Sequence, residues 1–166
     1  MTDVLGWRKK FGVLAPSTNT IVEPDFHAMT VPGVTSHTSR IHLRDQDLSS
    51  DEKMVRLLEA ISEEMFFAID RVMTAGVDYL IMAMSAETFW EGKAGNIEFI
   101  KRVEDYADVK VASCASAYQA ALAAFQVNKI AAKPVIAVNA ATWWYALRQN
   151  DIHDQVYGCG RLLREF

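Results

Sequence analysis

The run Val77–Met84, VDYLIMAM, is apolar at nearly every position and follows directly on a long amphipathic segment that Gly76 closes. A strand with one wet face alternates apolar and polar residues, whereas one that is apolar throughout must be covered on both faces. Helices returning over a parallel sheet provide that double cover. The preceding segment carries Met54, Leu57, Leu58, Ile61, Met65, Ile69, Val72 and Met73 at the three- and four-residue spacing of a single helical face. Gly76 stands where helices take a left-handed stop, and Ser49 with Glu52 three residues on forms a capping box at the start. A helix delivered straight into a doubly covered strand is half of a parallel β-α-β unit.

The rest of the chain repeats this alternation. KKFGVLA, 9–15, reads as a buried strand that Pro16 ends, since proline donates nothing to a ladder. Thr20 and Glu23 make a second capping box, opening a short helix with Pro24 in its first turn and Phe26 and Met29 turned inward. Residues 34–43, VTSHTSRIHL, are β-branched but mostly polar, which suits an edge strand. A helix over about 96–107, a strand at VKVAS (109–113) and an Ala-rich helix from Ser116 to Phe125 follow. A further apolar run from Ile130 to Asn139 is interrupted by Pro134, so it reads either as two abutting short strands or as an edge strand, and ATWWYALRQN (141–150) reads as the last helix. The expected fold class is α/β, a doubly wound and mainly parallel sheet of Rossmann-like form. Residues 1–130 form the first α/β lobe; residues 131–166 add a C-terminal strand and helix that pack back on it.

Composition narrows the function. A net charge of −4, with no basic arm or aromatic-interleaved basic stripe, gives no footing for nucleic acid or an anionic membrane. No stretch has the length of a membrane span, and MTDVLGWRKKFG lacks the apolar core of a signal peptide. Two cysteines, Cys114 and Cys159, make neither a disulfide framework nor a zinc site, which points to a reducing cytoplasm. The four histidines are scattered, so no metal is expected.

Open parallel sheets bind ligands beyond the carboxyl ends of their strands, where helix N-termini present unpaired N–H groups. Here those ends are rich in small hydroxyl and amide residues: Ser17, Thr18, Asn19 and Thr20 after the first strand, and Ser85 after VDYLIMAM. Helix capping and an anion cradle draw on the same groups, and both readings stand for Ser17–Thr20. Neither G-x-G-x-x-G nor G-x-x-x-x-G-K-[ST] is present, so a small carboxylate fits better than a nucleotide. Cys114, between a strand and a helix, is a weak catalytic candidate. Glu87, Glu91, Asp45 and Asp47 read as solvated loop carboxylates, and Trp143 and Trp144 as anchors of the last helix.

Three stretches, GVLAPSTNTIVEPDF, MAMSAETFWEGKAG and KPVIAVNAATWWYALRQNDIHDQVYGCGRLLREF, resemble the arylmalonate decarboxylase and maleate isomerase branch of the Asp/Glu racemase superfamily. The resemblance implies a cofactor-independent isomerase or carboxy-lyase that acts beside the carboxylate of a small dicarboxylic acid, on a fold of two similar α/β lobes. It places Pro16, Ser17 and Asn19 in the substrate-carboxylate loop, and Ser85 and Ala86 in a loop that donates hydrogen bonds to a carboxylate or enediolate. Two departures accompany it. Met84 stands where isomerases and racemases carry a first cysteine, and NKIA runs straight into KPVIAVN where the family continues through a second lobe. A single lobe that can pair with a second copy, either still catalytic or reduced to carboxylate binding, is the resulting expectation.

Overall fold

The computed structural model describes residues 3–43, 49–85, 92–127 and 136–166. Strand β1 (Lys9–Pro16) leads through helix α1 (Val22–Ala28) to β2 (Val34–Ile41), and α2 (Asp51–Met73) then leads to β3 (Tyr79–Met82). Helix α3 (Gly92–Ala107), β4 (Val111–Ser113), α4 (Cys114–Ala124), α5 (Val138–Gln149) and α6 (Arg161–Glu165) complete the order. The sheet runs β2-β1-β3-β4 and every neighbouring pair is parallel, as the sequence led us to expect. The polar strand β2 lies at an edge.

Side-chain alternation along the central strands divides the interior in two. Phe11, Val13 and Ala15 of β1, with Tyr79 and Ile81 of β3, point into a core closed by α1, α4, α5 and the segment after α5. Leu14, Leu80 and Met82 point the other way, against Ile61, Met65, Ile69 and Val72 of α2 and Phe99 and Val103 of α3. Both faces of VDYLIMAM are therefore covered, which is why it carries no polar alternation. Gly12 allows the second core to close: a Cβ there would lie 2.8 Å from Leu80 Cδ2 and 2.9 Å from Val77 Cγ2.

The first core is aromatic at its centre. Trp143 meets Phe11 edge-on, with centroids 5.4 Å apart, and Phe26 at 4.9 Å, while its Nε1–H donates to Met29 O at 2.8 Å. Arg8 holds Asp154 through two bonds of 2.9 and 2.7 Å, which staples the segment after α5 to the start of β1.

Three local expectations are corrected. Thr20 and Glu23 form no capping box: Asn19 Oδ1 accepts from the N–H groups of Ile21 and Val22, at 2.9 and 3.0 Å, and Glu23 turns to Arg40. The cap of α2 is Ser50, accepting from Lys53 N–H, while Ser49 takes the Lys53 ammonium. The apolar run expected as a strand to Asn139 is helical from Val138, and its residues 130–135 lie outside the described residues. There, Asn139 Nδ2 donates to Asp25 Oδ2 at 2.7 Å, and the helix buries Ala141, Trp143 and Leu147 in the first core, tertiary packing that overrides local β-propensity.

Candidate functional site

With strand order 2-1-3-4, the connections leave β1 and β3 in opposite directions. Helix α1 goes to one face and α3 to the other. The carboxyl ends of β1 and β3 are thus the topological switch point, where an open sheet leaves a crevice. Ala83 N–H donates to Leu14 O at 2.9 Å, which fastens the two exits side by side. Ser17 and Asn19 on one exit and Ser85 on the other consequently share one edge of the molecule.

The loop after β1 is a tight turn. Asn19 N–H donates to Pro16 O at 3.0 Å, and Ser17 N–H donates to Ile41 O at 2.8 Å. The Ser17 hydroxyl accepts from Leu43 N–H at 2.9 Å and lies 3.4 Å from Leu43 O, tying this exit to that of β2. Asn19 holds the helix start with its side-chain oxygen, so among the described residues its amide nitrogen is the end available to a ligand. Thr18 and Thr20 are exposed, and among the described residues their N–H groups have no protein acceptor. Capping and presentation of donors are therefore shared out within the turn: Asn19 caps, while Thr18 and Thr20 offer backbone N–H.

Arg40 was not singled out from the sequence. Its guanidinium reaches from β2 across the turn, donating to Pro16 O at 3.2 Å and to Asn19 O, and pairing with Glu23 at 3.0 Å. The sequence hint was a cation near the end of a strand expected at a sheet edge, and the register aligning Arg40 with Ala15 is a tertiary fact.

Cys114 lies at the carboxyl end of β4, as the first residue of α4, and is 3% exposed. Its thiol donates to Met82 O at 3.4 Å, and Thr142 Oγ1 is 3.5 Å from the sulfur while donating to Val138 O at 2.8 Å. Next to it, Ser113 caps α4 by accepting from Ser116 N–H and donates to Asn96 Oδ1 at 2.7 Å. Asn96 Nδ2 completes this small circuit by donating to Ser116 Oγ. Met84 is 6% exposed and packs in the second core. Ala86, Glu87, Glu91, Asp45 and Asp47 lie outside the described residues.

A groove of about 460 Å³ runs between α2 and α3, floored by Leu58, Ile61, Met65 and Phe99 and rimmed by Glu59, Glu98 and Arg102. None of the described residues among the sequence-predicted site residues lines it. Among the described residues no three His, Cys, Asp or Glu side chains gather to hold a metal, and no helix is long and apolar enough to cross a membrane. Among the described residues the carboxyl ends of the strands thus offer neutral donors, the Arg40 cation behind the turn and the buried Cys114 thiol. That set can hold a small anion by hydrogen bonds to its oxygens.

These features define an open, doubly wound parallel α/β protein with its donors gathered at the switch point. The same fold occurs in the maleate isomerase Iso from Pseudomonas putida S16, with TM-score 0.76 and 14% identity over 95% of this chain and 98% of that one. It occurs also in the maleate cis-trans isomerase of Nocardia farcinica, with TM-score 0.74, 14% identity and the same coverage. A liganded mutant of arylmalonate decarboxylase matches with TM-score 0.56 and 17% identity, over 72% of this chain and 47% of that one. No protein-family model matches the sequence, and no curated protein does.

Proposed function

We propose that the chain binds a small carboxylate or dicarboxylate at the edge shared by β1 and β3 and acts beside one carboxylate without a cofactor. The reaction would be of the maleate isomerase or arylmalonate decarboxylase type. One observation carries this reading: the turn after β1, whose Thr18 and Thr20 N–H groups have no protein acceptor among the described residues, stands beside the exit of β3 at the switch point of a fold shared with two maleate isomerases. Pro16 and Ser17 set the turn, Asn19 and the N–H groups around it hold one carboxylate, and Ser85 and Ala86 donate from the other exit. Cys114 is the thiol nearest this edge in the fold and the candidate proton donor. A cytoplasmic setting agrees with two cysteines that form no disulfide.

A second reading keeps the binding and drops the chemistry. It is favoured by the burial of Cys114 at 3% exposure and by Met84, which has no titratable proton. Carbon-acid chemistry needs a proton donor or base within reach of the α-carbon.

The two readings separate in one pair of measurements. Ligand linkage raises folded-state stability by about 2.7 kcal/mol at a hundredfold excess over Kd, so malonate, succinate or maleate should raise the melting temperature under either reading. Proton NMR of maleate and phenylmalonate incubated with the protein should show fumarate or phenylacetate only under the first. A melting curve indifferent to all these acids removes both.

A further inference from the structure

We infer that Arg40 is a positioning residue for this site, setting the direction of the Thr20 N–H donor; the inference rests on the carboxylate-binding reading above. Its guanidinium engages three acceptors from one short stretch: Pro16 O, Asn19 O and Glu23 Oε1. In a trans peptide the carbonyl and the N–H point in opposite directions across the plane. Drawing Asn19 O onto Arg40 therefore turns the Thr20 N–H away from the guanidinium, and this is one of the two loop N–H groups with no protein acceptor among the described residues. A cation on the carbonyl oxygen also pulls electron density from the peptide nitrogen, so the outward N–H becomes a stronger donor to an anion.

Arg40 does not act here as a free cation. Glu23 balances its charge, and both Nη atoms are already engaged with the turn and helix α1. Its role is orientation and polarisation through the peptide group. Nor is it the turn's sole support. The Asn19 N–H to Pro16 O bond, the Asn19 cap and the Ser17 contacts with Ile41 and Leu43 are all made without the Arg40 guanidinium, so the turn remains when Arg40 is replaced. What is lost is the fixed direction of the Asn19–Thr20 peptide.

The test is a calorimetric titration of malonate into the wild-type chain and into Arg40→Met, Arg40→Lys and Arg8→Met. Arg8→Met is the control, because it breaks the Asp154 staple at the opposite end of β1. Arg40→Met should weaken malonate at least about tenfold, as expected when charge-assisted positioning is lost. Arg40→Lys should fall in between, since an ammonium can reach a carbonyl but cannot fork across three acceptors. Arg8→Met should lower the melting temperature yet leave malonate affinity within about twofold, as distant sites do. Purely structural support would move the melting temperature of the Arg40 variants and not their Kd. Wild-type affinity in Arg40→Met, or in Arg40→Lys if the former does not fold, overturns the assignment of Arg40 alone. A wild-type chain that takes up no malonate, succinate or maleate overturns the site reading and Arg40 with it.

Discussion

On one side of the sheet Phe11, Phe26 and Trp143 interlock ring against ring, and short helices and the segment after α5 close over them. On the other side Ile61, Met65, Ile69 and Met82 fill the space beneath two long helices. Aromatic rings have fixed shapes and preferred edge-to-face contacts, and Trp143 adds a hydrogen bond to Met29 O that fixes its orientation. Unbranched thioethers and aliphatic chains adapt to gaps. The shape-specific side also carries α1, α4 and α5, and the start of α5 is joined to α1 through Asn139 and Asp25 and to α4 through Thr142 and Cys114. The rigid core stands beneath the candidate site, and the pliant core supports the sheet from behind.

If that contrast holds, Trp143→Ala should be the most costly change, at about 3–5 kcal/mol in urea unfolding, while Met65→Leu costs under about 1.5 kcal/mol. Equal losses would erase the distinction. Gly12→Ala tests how closely the pliant side is pressed together: the new methyl would stand 2.8 Å from the mobile end of Leu80 and 2.9 Å from the stiffer Val77. A loss of about 1–3 kcal/mol is expected by the same measurement, and a neutral result would mean that this side adapts even at the strand itself. The smallest effect concerns the staple. Arg8 beside Asp154 holds its carboxyl below the usual carboxylate value of 3.8. A depressed carboxyl contributes stability above its unfolded value and loses it as pH falls through the folded one. The melting-temperature gap between the wild-type chain and Asp154→Asn should therefore be full near neutrality and shrink below about pH 4. Tryptophan fluorescence should report that loosening, because the stapled segment supplies Ile152, Val156, Leu162 and Leu163 to the aromatic side.

Much of the frame was legible because it rests on local periodicity. Val77–Met84 and the helix before it could be read from spacing alone, as could the edge position of β2 from its polar residues. The turn after β1 was legible as a place but not as an arrangement. Ser17, Thr18, Asn19 and Thr20 are all competent caps, and Asn19 takes the role in a turn whose carbonyls are held by Arg40, from a neighbouring strand. That pairing depends on sheet register, which local sequence does not express. Asn96 was missed for a similar reason: its partners Ser113 and Ser116 lie on the next β-α unit. The helical start at Val138 went unread because valine and isoleucine favour strands, and the bond to Asp25 that accompanies the helix spans most of the chain.

Because successive residues of β1 enter two unlike interiors, this strand has little tolerance for a change in length. Deleting a single residue would swing the ring of Phe11 toward the narrow gap that Gly12 leaves against Leu80, and send Leu14 in among the tryptophan and its neighbours. Substitutions that respect size can accumulate along β1, but insertions and deletions cannot. The spacing between Lys9 and the Pro16 turn therefore fixes which residues of β1 enter each interior.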